Sequence, residues 1–235
     1  MEIIANYFKG MLEELPNLLD TTKPVVFFQE GYFRISSTVT TTWFIMLMIV
    51  IFVLIITSKL EKIPTTRRQS IAEWITMFIY DFVYSICGEK TKKLYGTFGG
   101  IFITILVMNF IWVIPIFTTP TASYSTTLAL ALIGNSYVQF AIIREKNIFG
   151  YLKGYFEPNA FMIIGNVIGI FAVPLSLSMR LFGNMFSGKI LDSIVMIALP
   201  FLVPIVFSLL SILSAIIQAY VFTLLITMFT GEGIE

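Results

Sequence analysis

The chain of 235 residues is 57% hydrophobic and only 12% charged, with 23 Phe and no His, and its mean hydropathy is +0.89. Those values exclude an ordinary soluble domain, a net charge of +1 gives no case for nucleic acid, and a single cysteine, Cys87, excludes an internal disulfide. The expected fold class is an all-α integral membrane protein with about five membrane-crossing helices plus amphipathic surface helices. One membrane domain, 1–235, is expected: an N-terminal interfacial segment (1–38), peripheral helices (39–157) and a closing helix pair (158–231).

Glu2, Lys9, Glu13, Glu14 and Asp20 interrupt the first twenty residues, so a signal peptide with a continuous apolar stretch is not expected there. Ile3, Ile4, Tyr7, Phe8, Met11 and Leu12 recur at helical spacing and predict a short amphipathic helix lying in the interface. Val25–Phe28 and Gly31–Ile35, flanking a Gln-Glu-Gly turn, predict a small hairpin at the membrane edge. Val39 to Ser58 is 20 residues without a charge, enough for one helical span. Leu94 to Ile143 is 50 residues without a charge, which predicts two spans joined by the turn Pro115–Ser123.

Basic clusters orient these spans. Lys59, Lys62, Arg67 and Arg68 follow the first, Lys90, Lys92 and Lys93 precede the second, and Arg144, Lys146 and Lys153 follow the third. The turn after Pro115 has no charge, so the clusters are placed in the cytoplasm and the turn, with Thr119, outside. Between the first two clusters, Ile71, Trp74, Ile75, Phe78, Phe82 and Ile86 form an apolar helical face opposite Glu73 and Asp81. That segment starts and ends on one side, so it is expected to lie on the surface or dip in as a hairpin. Five crossings follow, with the N-terminus outside and the C-terminus in the cytoplasm.

Pro158 to Asp192 is 35 residues, about 52 Å of helix at ~1.5 Å per residue, against roughly 30 Å of hydrocarbon. Either the helix breaks near Gly165, Gly169 or Pro174, or it is steeply inclined. Pro200 and Pro204 open the last helix, where proline is best tolerated. Arg180 is the only charge between Glu157 and Lys189. A guanidinium in that setting costs about 2.5–3.5 kcal/mol on the lenient insertion scale, and it cannot escape by losing its proton. Such a group is normally retained along an ion path or opposite a carboxylate. Helical phasing puts Asn166, Ser176, Arg180, Asn184 and Ser187 on one stripe, and Ser208, Ser211, Ser214 and Gln218 on a second. The serines suit close helix packing, whereas the amides of Asn184 and Gln218 are better placed beside Arg180 than buried alone.

The run Leu175-Ser-Leu-Ser-Met-Arg180-Leu-Phe-Gly-Asn184-Met, with Gln218-Ala-Tyr-Val-Phe-Thr on the next helix, closely resembles subunit a of the rotary F-type ATP synthases. Thr38–Trp43, Pro120–Ser123 and the two long closing helices share the resemblance. It implies an ion-conducting stator in a bacterial inner membrane, set against a rotor ring of small hairpin subunits that carry ion-binding carboxylates. Two offset half-channels would load and unload those carboxylates. A peripheral-stalk membrane subunit and an ATPase head would complete the partners, with no ATP site and no tightly bound cofactor or metal in this chain. Under the resemblance Arg180 is the essential charge, Asn184 and Gln218 its polar support, and Asn166, Ser176, Ser187, Lys189, Ser208, Ser211 and Ser214 channel-lining candidates.

Lys189 stands where proton-carrying relatives often have glutamate, and Ser211 where they often have histidine. The path is therefore rich in neutral oxygens and poor in titratable groups, which favours transported Na+ over H+. Lys189 lies nearly opposite Arg180 on the helical wheel and is also spaced to pair with Asp192. A stand-alone secondary transporter is the competing class, but no internal repeat is visible and Arg180 has no carboxylate partner on its own helix or the last. An intramembrane enzyme lacks the His-Glu-x-x-His pair and the Gly-x-Ser-x-Gly elbow.

Overall fold

The computed structural model describes residues 26–30, 33–58, 67–88, 91–111, 114, 117–156, 162–198 and 203–234. The expected N-terminal amphipathic helix, Lys59, Lys62, Lys90 and Pro200 lie outside the described residues, as do the side chains of Lys92, Lys93, Lys153, Asn166 and Asp192. The fold is helical apart from one hairpin. Strands β1 (Val26–Glu30) and β2 (Phe33–Ser36) pair antiparallel, with an irregularity between Val26 and Phe28.

Helix α1, Ser37–Thr57, follows β2 directly, two residues ahead of the expected start. Thr41 and Thr42 return their hydroxyls to the carbonyls of Ser37 and Thr38, each at 2.8 Å. These bonds satisfy the hydroxyls of Thr41 and Thr42 as the helix enters an apolar medium. Only Ser37, Thr38, Thr41 and Ile45 of α1 are buried, and an apolar helix exposed over most of its surface suits a lipid-facing position. Helix α2, Arg67–Cys87, runs unbroken and so is not a re-entrant hairpin. It buries Ile79 and Val83 and exposes Ile71, Trp74 and Phe78, so its apolar residues divide between bundle and surroundings. It stops at Gly88, whose φ of +56 is the left-handed conformation that glycine adopts without a Cβ penalty.

Helix α3, Thr91–Phe110, packs against α2 at Gly99, where a Cβ would stand 2.9 Å from Ile79 Cγ2. A 3₁₀ turn, Pro120–Ala122, leads into α4, Tyr124–Phe156. Asn147 bends α4 at φ 62, ψ 161, a region that only glycine occupies readily.

Helix α5, Met162–Ala198, is 37 residues long and α6, Val203–Ile234, is 32. Neither Gly165, Gly169 nor Pro174 breaks α5, and it also continues past Asp192. Of the two alternatives, the break is absent: the carbonyl that Pro174 strands, Ile170 O, accepts a hydrogen bond from Asn135 of α4. Pro204 sits in the first turn of α6, where its missing N–H has no helical acceptor to lose.

The main core joins α3, α4, α5 and α6 through buried residues such as Phe98, Ile105, Leu177, Leu181, Phe222 and Ile226. A smaller cluster of Ile45, Met108 and Ile111 ties α1 to α3. Among the described residues, four helices are long and apolar enough to cross a membrane (Ser37–Thr57, Tyr124–Asn147, Ile168–Leu191 and Val206–Ile234), and Leu94–Phe110 is a shorter apolar helix. The molecule is therefore a multi-span helical bundle.

Candidate functional site

Helix α5 has two unlike faces around its arginine. Leu177, Ser178 and Leu181 are buried against the bundle. Leu175, Ser176, Met179, Arg180, Asn184 and Ser187 form an exposed stripe. Arg180 thus projects from the bundle surface amid apolar and small residues, and it makes no hydrogen bond or ion pair with another described residue. On the buried side Phe182 stacks on Phe186 and meets Tyr124 edge-on, with centroids 5.0 and 5.8 Å apart. Those contacts fix the rotation of α5 and so the direction in which Arg180 points.

One turn beyond Arg180, Asn184 Nδ2 donates to Gln218 Oε1 at 2.8 Å, joining α5 to α6. Gln218 is only 3% exposed, and its Nε2 has no protein partner. Nearby, Asn109 of α3 is fully buried and donates through Nδ2 to Ala215 O at 3.4 Å, while its Oδ1 has no protein partner. A polar patch therefore crosses α5, α6 and α3 inside an otherwise apolar bundle. Buried amides are costly unless bonded, and here two of them keep one polar atom each without a protein partner.

Two cavities flank this level. The first, about 560 Å³, is bounded on α5 by Asn184, Ser187 and Lys189, on α6 by Ser211 and Ser214, and on the connecting segment by Thr119. Gly188 of α5 faces Ser211 of α6 across its wall, where a Cβ would stand 3.7 Å from Ser211 Oγ. The second, about 440 Å³, lies on the opposite side of Arg180 along α5, from Gly165 to Val173. Asn135, Gln139, Lys146 and Tyr151 of α4 and Glu232 of α6 supply its polar groups. Arg180 lines neither cavity.

The sequence-derived candidates are thus divided. Asn184, Ser187, Lys189, Ser211 and Ser214 meet in the first cavity, and Gln218 joins through Asn184. Lys189 reaches this cavity although the wheel sets it away from Arg180's stripe, because the cavity wraps the flank of α5 that faces α6. Ser176 and Ser208 line neither cavity. Reasoning from sequence missed Asn109, Asn135, Gln139 and Tyr151; the i, i+4 spacing of Asn135 and Gln139 in a charge-free helix was the available signal. Among the described residues no group of three or more His, Cys, Asp or Glu could hold a metal ion.

A bundle with four helices long and apolar enough to cross a membrane among the described residues defines a multi-pass integral membrane protein. The family model for the ATP synthase A chain matches residues 39–231. The ATP synthase subunit a of Moorella thermoacetica is 37% identical over 203 residues, covering 86% of this chain and 93% of that protein. Subunit a of Albidiferax ferrireducens is 34% identical over 210 residues (89% and 91%), and that of Legionella pneumophila 35% over 208 residues (88% and 90%). The chain belongs to the ATP synthase A chain family. Its role is that of the ion-channel stator subunit, which couples ion flow to rotation and is not itself catalytic. The stand-alone transporter is thereby set aside.

Proposed function

We propose that the two cavities are the offset half-channels of this stator and that Arg180 is the charge separating them. The observation that carries this reading is their placement along α5: residues from Gly165 to Val173 border one, residues from Asn184 to Leu191 border the other, and Arg180 lies between. At ~1.5 Å per residue the gaps from Val173 to Arg180 and from Arg180 to Asn184 are about 10 and 6 Å along the axis. The cavity with Lys146 and Glu232 opens toward the cytoplasm, and the one with Thr119 toward the outside, in the orientation supported by the basic clusters. Five crossings follow if Leu94–Phe110 spans.

The exposed stripe of α5 bearing Arg180 faces the rotor ring. A ring carboxylate in lipid must carry its ion, because the bare anion is too costly there. Beside a fixed guanidinium the bare carboxylate is stabilised, so the ion leaves for the exit cavity. The same positive charge repels an ion attempting to pass directly between cavities, and a group that does not deprotonate offers no proton relay. Asn184 and Gln218 hold the polar surface next to it. An ion moved through the potential supplies about 2.3 kcal/mol per 100 mV, which a leak would dissipate.

The partners in this reading are the ring of hairpin subunits, a peripheral-stalk membrane subunit and the ATPase head, in a bacterial inner membrane with the N-terminus outside and the C-terminus in the cytoplasm. The transported ion is read as Na+, supported by the neutral oxygens of Thr119, Ser187, Ser211 and Ser214 in the first cavity. The peripheral portion (39–157) carries the pair (158–231) that works against the ring.

Arg180→Ala in the assembled complex is the test. Ion-driven ATP synthesis is expected to vanish while the complex still assembles and hydrolyses ATP, and Arg180→Lys is expected not to restore it. Normal synthesis by the alanine variant removes Arg180 from the mechanism.

A further inference from the structure

Two buried side-chain atoms on different helices have no protein partner, and they are complementary. Asn109, one residue before the end of α3, is fully buried, and the atom left over is Oδ1. Gln218 of α6 is 3% exposed, and the atom left over is Nε2. Their other contacts fix which end of each amide remains. Asn109 donates through Nδ2 to Ala215 O at 3.4 Å. A carbonyl only accepts, so the end of Asn109 turned away from it is the acceptor. Gln218 Oε1 accepts from Asn184 Nδ2 at 2.8 Å, so the remaining end of Gln218 is a donor.

The backbone of α6 brings the two ends to one level. Ala215, Gln218, Ala219 and Phe222 are all buried, and their i, i+3, i+4, i+7 spacing sets them on one face. A helical carbonyl points toward the residue four positions on. Ala215 O, where Asn109 docks, therefore lies beside Gln218. The small side chains of Ala215 and Ala219 let α3 approach that face closely. Buried amide atoms are seldom left unpaired, and ordered water is the usual partner where no protein group reaches. A cation does not suit this pair, because Gln218 presents an N–H. Water suits both ends, donating to Oδ1 and accepting from Nε2. We propose that one buried water bridges Asn109 Oδ1 and Gln218 Nε2, and that Asn109 is thereby the positioning residue that holds Gln218, and through it Asn184, in place. This role rests on the reading of Asn184 and Gln218 as the polar surface next to Arg180.

A cryo-EM map of the whole parent complex, at a resolution that shows ordered water, tests the site. One peak is expected at about 2.7–3.2 Å from both Asn109 Oδ1 and Gln218 Nε2. A direct bond between the two amides, or no peak, overturns the bridge, and this measurement needs no variant that folds. ATP synthesis by the whole complex in membrane vesicles tests the role. Asn109→Leu is expected to slow synthesis about three- to tenfold with the normal amount of subunit in the complex. In a Gln218→Leu background the same substitution is expected to change synthesis by less than about twofold, because the bridge is already gone. A role confined to packing, or to the bond with Ala215 O, predicts the same slowing in both backgrounds. That outcome, or normal synthesis by Asn109→Leu alone, overturns the positioning role.

The Gln218→Leu variant by itself separates the two readings. If it synthesises ATP normally, the polar support of Arg180 falls and the role of Asn109 falls with it. If it is impaired while Asn109→Leu acts independently of it, only the role of Asn109 is lost, and the pairing of Asn184 with Gln218 beside Arg180 stands.

Discussion

The side-chain amide of Asn135 donates to the backbone carbonyl of Ile170 at 3.1 Å, supplying from α4 the donor that Pro174 cannot provide within α5. A proline normally forfeits the bond to the carbonyl four residues earlier and bends its helix. Here a neighbouring helix makes up the loss, as membrane helices require where water is scarce, and α5 carries on to Arg180 without a break.

Asn135→Ala is therefore expected to destabilise the subunit by about 0.6–2 kcal/mol, seen as a lower temperature for its release from the solubilised complex. In a Pro174→Ala background the helix regains its own donor at position 174, so the same substitution is expected to cost less. Equal losses in both backgrounds would refute the pairing.

The Asn184–Gln218 bond predicts coupled behaviour between α5 and α6. Asn184→Leu leaves a 3%-exposed Gln218 without its protein partner, and ATP synthesis is expected to fall by about tenfold. Gln218→Leu is expected to do similar damage, and the double variant to be no worse than either single, as one network requires. Independent, multiplying defects in synthesis rates would mean the two amides serve separate tasks.

Topology is checked by cysteine labelling in a Cys87→Ser background. Thr119, which the sequence marks as external, is buried and is a poor reporter. Ile114 and Phe149 are exposed and sit on opposite ends of the bundle. Ile114→Cys is expected to react with an impermeant reagent from outside only, and Phe149→Cys from the cytoplasm only. The reverse pattern would invert the whole orientation, including which cavity faces which side.

The coupling ion is decided by ATP hydrolysis of the whole complex across sodium concentrations at fixed pH. The neutral oxygens of the first cavity predict stimulation by sodium and protection by sodium of the ring carboxylates against carbodiimide labelling. Activity and labelling indifferent to sodium would assign the path to protons, carried by water past the same serines.

The expected hairpin near residues 25–35 is present as β1 and β2, and the runs of uncharged residues appear as helices, although α4 continues to Phe156 and α5 to Ala198, past the ends of those runs. These features are legible because length, charge and hydrophobic period act locally. Of the two outcomes that the length of α5 allowed, a break or a steep inclination, the structure shows no break. Pro174 and Arg180 are visible in the chain, but the donor that repairs the helix comes from Asn135, 35 residues away from Ile170. Gln139 and Tyr151 escaped notice for a related reason, since their contact depends on one unusual backbone conformation at Asn147.

By itself the sequence determined that this protein lives in a membrane, that its closing helices exceed a simple span, and that Arg180 is an isolated cation in them, because the cost of placing charge in hydrocarbon depends mainly on the residue and its neighbours in the chain. Only the tertiary structure decided that Lys189, Ser187, Ser211 and Ser214 share one cavity, that Asn135, Gln139 and Tyr151 share another, and that Arg180 stands outside both. Those facts depend on the rotation of each helix about its axis, and that rotation is set by contacts between distant segments such as Tyr124 against Phe182 and Asn184 against Gln218.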